Sequence, residues 1–334
     1  MKVLSILPET KNPSGMVFAK RQIELLSTLG VENRTFIFPS TELTFRKLIN
    51  NGIRLRKEVR SFHPDIVHVH YGLIYAFAAA FFQGHRLIIT FQGSDINNIA
   101  SRSRFRNIFN HFLSNMAVLR AGTVICVSRN VSGNLWWGHK KTVIIPPGID
   151  MDLFKPMDRQ ICREKLNWPA SEKVILFNAN NPAVKRIDIA EKTILLLKEQ
   201  IPGARLEILR GIITDDNQIP VIINASDCLL ICSDSEGSPT MVKEAMACNI
   251  PVVGVDVGDV KERLRNVNGS SVVGKDPAVL ANAIAGVLRE GKSSEGRKKL
   301  LSDGLSDTMV AQKILRLYRF RTEKHHFRKR NFGW

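Results

Sequence analysis

Short runs of β-branched and aliphatic residues alternate along this chain with stretches whose apolar positions recur every three or four residues. That alternation marks βαβ units and parallel sheets. A first series of runs predicts strands at Val3 to Leu7, Arg34 to Phe38, Ile66 to His70, Leu87 to Phe91, Thr123 to Val127 and Thr142 to Ile145. Helices fall between them. In the first, from Gly15 to Leu29, Ala19, Ile23 and Leu26 share one face while Lys20, Arg21 and Glu24 lie elsewhere, as packing on a sheet requires.

The segment Pro146-Pro147-Gly148-Ile149-Asp150 interrupts the alternation, because two prolines and a glycine continue neither a helix nor a central strand. It is read as the linker. A second series then predicts strands at Val174 to Asn178, Leu206 to Leu209, Cys228 to Cys232 and Val252 to Val255, with helices beginning near Lys185, Pro239, Asp259 and Pro277. Leu305 to Arg321 reads as a closing helix, followed by a polar, basic tail to Trp334. The expected organisation is therefore α/β throughout, with domains at residues 1–148 and 149–305. A final segment, 306–334, is expected to cross back to the first domain.

A length of 334 residues suits two domains better than one core, and 44% hydrophobic with 24% charged residues is ordinary for a globular protein. The longest apolar run, Leu73 to Phe82, is about half of the ~20 residues that cross a bilayer, so a buried helix is predicted there. No signal peptide is read at the N-terminus. The cysteines Cys126, Cys162, Cys228, Cys232 and Cys248 lie mostly in apolar strands and lack metal-ligand spacing, which fits a reduced cytoplasm.

Charge changes the picture more, because the formal +17 is unevenly spread. Residues 1–150 hold 19 Lys and Arg against 8 Asp and Glu, and residues 311–334 hold 8 against 1, whereas 151–310 hold 21 against 22. Both ends are basic and the middle is neutral. An anionic partner is expected for the ends: phospholipid headgroups, lipid-linked diphosphates or nucleic acid.

The most informative chemistry lies in Ser233-Asp234-Ser235-Glu236-Gly237-Ser238-Pro239-Thr240-Met241-Val242-Lys243-Glu244, directly after an apolar strand. Ser238 is expected to cap a helix whose first residue is Pro239. Its free N–H groups would then face the carboxyl edge of the sheet, where open α/β sheets bind ligands. Glu236 falls in the loop and Glu244 more than a turn inside the helix. Such carboxylates suit vicinal sugar hydroxyls, although two glutamates about a helix start also serve as a solvent-facing feature.

The spacing Glu236-x₇-Glu244, continued by Ala247-Cys248-Asn249-Ile250-Pro251-Val252-Val253 and Val257-Gly258, resembles the paired-glutamate motif of the family 4 retaining glycosyltransferases. His68-Val69-His70-Tyr71-Gly72, Thr90-Phe91-Gln92-Gly93-Ser94-Asp95, Val127-Ser128 and Pro146-Pro147-Gly148-Ile149-Asp150 are similar to that family in the same order, so the resemblance spans nearly the whole chain. It implies a GT-B fold: two Rossmann-like domains whose parallel sheets face each other across a cleft. It further implies transfer of a sugar, with retention, from a nucleotide-diphosphate sugar to a lipid-linked or glycan acceptor of cell-surface polysaccharide synthesis.

Carried over by position, the resemblance has Glu244 hold the nucleotide ribose and Glu236 contact the transferred sugar. Gly237, Ser238 and Thr240 surround the sugar and diphosphate, and Lys185 holds the leaving diphosphate. Gly15, Arg186 and Gly211 complete the donor side, while Gln92, Ser94 and Asp95 form the acceptor side. Lys185, Arg186 and the helix start near Pro239 supply fixed positive charge, so neither a metal nor another cofactor is expected. The enzyme is expected at the cytoplasmic face of a membrane, against an anionic surface.

The chain departs from the family pattern at Asn178-Ala179-Asn180, where Gly-Arg is common before the lysine, at Gln92, where histidine is frequent, and at Pro147. Gln92 donates a hydrogen bond but takes up no proton near neutral pH. Alternative readings are another GT-B enzyme, such as a sugar-nucleotide epimerase or phosphorylase, or a basic nucleic-acid-binding protein. The last lacks any recognised module, and nucleic acid is not expected as a partner. His68 and His70 point the same way from one strand and are read as structural. Phe105, Ile108, Phe109, Phe112, Leu113 and Met116 form a helical stripe preceded by Arg102, Arg104 and Arg106, read first as core packing and second as an acceptor- or membrane-facing surface.

Overall fold

A computed structural model describes the chain apart from residues 11–15, 40–44, 83–85, 100–101, 211–217 and 333–334, and without the side chains of 45, 82 and 324–332. The chain forms two compact units. Unit 1 comprises Met1–Asn98, Arg102–Gly148 and Asp307–Trp334, and unit 2 comprises Ile99–Ser101 and Ile149–Ser306.

Unit 1 holds β1 (Lys2–Pro8), β2 (Glu32–Phe38), β3 (Ile66–Val69), β4 (Leu87–Phe91), β5 (Thr123–Cys126) and β6 (Thr142–Ile144). They form a parallel sheet in the order β2-β1-β3-β4-β5-β6. Its central strands β3, β4 and β5 are buried along their whole length, as strands covered on both faces must be. The intervening helices are α1 (Val17–Thr28), α2 (Phe45–Phe62), α3 (Leu73–Phe82), α4 (Arg104–Arg120) and α5 (Arg129–Gly133). Helix α1 buries Ala19, Ile23 and Leu26, the face that the sequence marks.

Unit 2 begins with α6 (Arg159–Leu166), β7 (Lys173–Asn178), α7 (Pro182–Lys185), α8 (Ile187–Gln200), β8 (Ala204–Leu209) and α9 (Gln218–Ala225). It continues with β9 (Cys228–Ile231), α10 (Thr240–Ala247), β10 (Val252–Gly254), α11 (Val260–Leu264), β11 (Ser271–Val272), α12 (Pro277–Glu290) and α13 (Gly296–Ser302). Its parallel sheet runs β11-β10-β9-β7-β8. Strand β11 was not expected, since its two half-buried residues, Ser271 and Val272, carry no periodic pattern. The helix expected near Lys185 is two helices, α7 and α8, broken by the left-handed Arg186 (φ 61°).

The last helix, α14 (Asp307–Phe332), runs well past the Arg321 end that the apolar pattern indicated, because its second half has no breaker to stop it. It belongs to unit 1, where its Arg21–Asp307 ion pair (3.3 Å) ties it to α1 and Arg321 bonds to Thr123. Gly148 allows the close approach at its start: a Cβ there would stand 2.7 Å from the Asp307 Cα.

A buried polar cluster of unit 1 joins α14 to the sheet. The fully buried Tyr318 hydroxyl lies 2.5 Å from His68 Nδ1, and His68 Nε2 lies 2.7 Å from Thr90 Oγ1. His70 stacks on His68 with ring centroids 3.9 Å apart, and its buried Nε2 has no hydrogen-bond partner among the described residues. Burial holds both imidazoles neutral, with His68 well below its ordinary range and His70 lowered to about 3. The unfolded chain, with ordinary histidines near 6.5, binds protons that the fold refuses. Stability is therefore complete above pH ~6.5 and falls as pH drops below it, by about 2 kcal/mol at pH 5 for His70 alone. Urea unfolding of wild type and His70→Gln at pH 7.5 and pH 5 checks this; the variant should lose distinctly less on acidification, and equal losses would refute the assignment.

Candidate active site

Each sheet changes its direction of growth once, between β1 and β3 in unit 1 and between β7 and β9 in unit 2. The chain diverges to opposite sides at such a point and opens a crevice beyond the carboxyl ends of the two strands. In unit 2 the loops bordering this crevice follow β7, through Lys185 and Arg186, and follow β9, through Cys232 to Pro239. They are laced together by the Asp234 N–H, which donates to the Val184 carbonyl at 2.9 Å. Cys232 Sγ lies 3.5 and 3.4 Å from the carbonyls of Lys185 and Arg186.

That lacing brings Lys185 and Glu236 together. Lys185 Nζ donates to Glu236 Oε1 at 2.5 Å, and Ser233 Oγ donates to the same oxygen at 2.7 Å. Both side chains are largely but not wholly buried. Arg186 sits beside them, held by a two-pronged bond to Asp188 (2.9 and 2.8 Å) and by Asp234 at 3.2 Å. Lys275 also grips Asp234 at 2.7 Å. Burial disfavours the Asp234 charge, yet Lys275 and Arg186 together hold its carboxyl below the usual range.

Ser238 departs from expectation. It does not cap the helix: α10 starts at Thr240, one residue later than anticipated, with Pro239 at the cap position and no side-chain cap bond. The Ser238 hydroxyl is engaged elsewhere, accepting from Lys243 Nζ at 2.8 Å and donating to Asp259 Oδ2 at 2.8 Å. The first N–H groups of α10 are left without a side-chain cap, which is the arrangement an anion can use. Glu244 lies half-buried on the second turn of α10, and Thr240 and Gly237 are half-buried at its start.

Lys243, Asp259 and Gly258 were not anticipated as site residues. Lys243 is fully buried, and no periodicity announces a lysine inside a core. Asp259 is buried too, reached by Arg263 at 3.3 Å, and Arg263 passes the network on to Asp303 at 2.6 Å. Burial pushes the Asp259 carboxyl up, and the Lys243 ammonium opposes that shift. Gly258 (φ 60°) packs against the loop that carries Glu236 and Gly237: a Cβ there would lie 2.9 Å from the Gly237 carbonyl oxygen and 3.1 Å from Glu236 Cβ. The Val257-Gly258 continuation of the motif is the one signal pointing to this contact.

On unit 1, Asp95 is fully buried and its carboxylate accepts from the main-chain N–H of Gly72 (2.7 Å), Gln92 (3.0 Å) and Gly93 (2.8 Å). Burial pushes its carboxyl up, against the pull of those N–H groups. It braces the loop. Ser94 Oγ pairs with the Tyr71 hydroxyl at 2.5 Å, and Arg102 donates to the Ser94 carbonyl at 2.7 Å. Gln92 is half-buried beside them. Gly15 and Gly211 lie outside the described residues. Among the described residues no cluster of His, Cys, Asp and Glu suits a metal ion.

Comparison with known proteins decides the family. Residues 14–153 match the family described as Glycosyltransferase Family 4, and residues 212–300 match Glycosyl transferases group 1. The chain belongs to glycosyltransferase family 4. Within this family it is similar to the D-inositol 3-phosphate glycosyltransferases of Mycobacterium marinum (28% identical over 182 residues, 46% of this chain) and Mycobacterium avium (26% over 175 residues, 44% of this chain). The aligned stretches take in 38% and 40% of those relatives' lengths.

Among solved structures, this family 4 chain is similar to sucrose-phosphate synthase from Thermosynechococcus elongatus, with a TM-score of 0.75 at 18% identity over 96% of this chain and 98% of the other. HepE from Anabaena in complex with UDP and glucose gives 0.72 at 15% identity, over 95% and 99%. The UDP-GlcNAc 2-epimerase of Methanocaldococcus jannaschii gives 0.59 at 12% identity, over 96% and 100%. At these identities the likeness establishes the GT-B fold.

Removing the buried ammonium would leave Asp259 facing Ser238 and Arg263 alone. Lys243→Met should therefore cost about 3 kcal/mol of stability, as removing the charge that compensates a buried opposite charge does. Adding Asp259→Asn should restore part of that loss, because the uncompensated charge goes with it. Denaturant midpoints for the two single variants and the double variant measure the coupling; strictly additive effects would show that Lys243 and Asp259 do not interact.

Proposed function

We propose that this chain is a retaining, metal-independent glycosyltransferase that moves a sugar from a nucleotide-diphosphate sugar to a lipid-linked or glycan acceptor of cell-surface polysaccharide synthesis. The observation that carries the reading is the Lys185–Glu236 pair at the switch point of the second sheet. Breaking an anomeric C–O bond to a diphosphate makes one side of that bond cationic and the other more anionic. A carboxylate and an ammonium side by side match that separation, Glu236 toward the sugar and Lys185 toward the leaving phosphate. The uncapped start of α10 adds N–H dipoles to the anionic side. Glu244 then binds the ribose, with Gly15, Arg186, Gly211, Gly237, Ser238 and Thr240 completing the donor side.

The acceptor is recognised by unit 1 through Gln92 and Ser94, whose loop Asp95 holds rigid. Its hydroxyl attacks the face the diphosphate leaves, and the departing phosphate takes the proton, so a site with Gln92 in place of a basic histidine needs no protein base there. The complexes of HepE with UDP and with UDP-glucose lend support to a nucleotide-sugar donor. A peripheral station on the anionic cytoplasmic face of a membrane is part of the proposal and rests on the basic ends of the chain. Among the described residues no helix is long and apolar enough to cross a membrane.

Thermal unfolding with nucleoside diphosphates is the direct test. A ligand at 100 times its Kd should add about 2.7 kcal/mol to unfolding, and absence of any stabilisation would remove the donor assignment.

Lys185→Ala should lower kcat by roughly 10²-fold to 10³-fold, the scale of losing one preorganised charge-stabilising group, and activity should persist in excess EDTA. Abolition by EDTA with rescue by magnesium or manganese would defeat the metal-independent mechanism. Glu244→Ala should instead raise the donor KM, since a ribose contact is made equally in ground and transition states. An unchanged donor KM in the folded variant would remove the ribose assignment.

A further inference from the structure

Helix α4 contradicts the expectation that its apolar stripe packs into the core. Its second half is conventional, burying Leu113, Ser114, Asn115, Ala117 and Val118. The first half, from Arg104 to Phe112, buries no residue at all. Phe105 (79% exposed), Ile108 (65%), Phe109 (50%) and Phe112 (45%) stand there at i, i+3, i+4 and i+7, the spacing that puts four side chains on one face. The Phe105 and Phe109 rings lie parallel at 6.3 Å, and the exposed Trp136 extends the patch from Phe112, 6.4 Å away. Four adjacent large apolar groups in water are a patch that a stable monomer rarely keeps without use.

The surroundings say what covers it. Helix α4 carries Arg104, Arg106 and Arg120 and no carboxylate. Arg102 precedes it. Helix α3 packs between α4 and α2, and α2 holds Arg46, Lys47, Arg54, Arg56, Lys57 and Arg60 against Glu58 alone. Aromatic and aliphatic side chains rimmed by arginines, with almost no negative charge, suit an interface of acyl chains below and phosphate groups above.

We infer that the Arg104–Phe112 half of α4, with Trp136, docks unit 1 on an anionic lipid surface and so presents the Gln92–Asp95 loop to a lipid-borne acceptor. The mechanical link is short. Arg102, next to α4, donates to the Ser94 carbonyl at 2.7 Å. Ser114 of α4 donates to the Asp95 carbonyl at 2.7 Å and accepts from the Leu73 N–H at 2.9 Å. A helix seated in headgroups therefore fixes the height of that loop above the membrane. The docking stands on the exposed stripe alone; the role given to the loop rests on the proposed transferase reading.

The test uses the full chain and the double variant Phe105→Ser with Phe109→Ser, whose exposed rings contribute little to folding. Co-sedimentation with vesicles of phosphatidylcholine and phosphatidylglycerol should weaken about tenfold or more for each ring removed, and vesicles of phosphatidylcholine alone should bind wild type weakly. Tryptophan emission should shift to the blue on the anionic vesicles, and Trp136→Phe should abolish most of that shift.

Equal sedimentation of wild type and double variant would overturn the inference. So would loss of binding only on truncation of residues 322–334, or a wild-type dimer that the double variant dissolves with no vesicle binding by either. Stabilisation by nucleoside diphosphate, measured on both proteins, keeps the two readings apart. Its absence from both with vesicle binding intact would count against the transferase, and its presence in both with no vesicle binding against the docking.

Discussion

Holding an ammonium and a carboxylate 2.5 Å apart at the mouth of a parallel sheet is the constraint around which unit 2 is organised. Neither group would find the other by local structure, since 51 residues separate them. The switch point supplies the proximity: β7 and β9 are neighbours, so the loops after them share one crevice. The rest is maintenance of register. The Asp234 N–H tethers one loop to the other, and Gly258 fills the space behind Glu236 and Gly237 so closely that no side chain would fit.

A second set of charges supports the first from below. Lys243, Ser238, Asp259, Arg263 and Asp303 form a chain of contacts that runs from the start of α10 through α11 to the end of α13. Burying such groups costs more than burying leucines, so stability alone does not account for them. They fix orientation. By engaging the Ser238 hydroxyl, Lys243 and Asp259 also keep it from capping α10, so the helix start has no side-chain cap. The positions that make the loop precise and those that leave it open are thus the same ones.

Much of this was legible from residue pattern. Parallel α/β order, every strand of the two sheets but β11 and the face of α1 follow from periods of two and 3.6, because burial on a sheet selects them. Glu236, Lys185 and Glu244 were reached through a motif, which reports chemistry that periodicity cannot. What escaped has physical reasons. Lys243 and Asp259 went unmarked because two buried charges joined through a serine hydroxyl have no local signature, and Ser238 read as a cap because its competing partners lie five and twenty-one residues away. Strand β11 was too short to show a period. The stripe on α4 had the spacing of a core face, and spacing alone does not tell a face packed on protein from one left to another medium.

The charges at the crevice also say how a donor would be received. Three cations, Lys185, Arg186 and Lys275, face three carboxylates, Glu236, Asp188 and Asp234, so the described cluster is electrically balanced. An entering diphosphate adds negative charge and must draw a cation from its partner. Arg186 is the worst placed to respond, because its guanidinium is locked in the two-pronged bond to Asp188 and its backbone is already held in a left-handed conformation. Lys275 is committed to Asp234 from an exposed position where solvent screens its charge. Lys185 is different: its flexible stem carries a point charge with three donors, and its shielded partner Glu236 keeps the Ser233 hydroxyl if the lysine turns away. On the proposed reading, the ammonium would swing to phosphate while the carboxylate stays in place for the sugar, and the two groups that meet across the crevice would divide charge across the breaking bond.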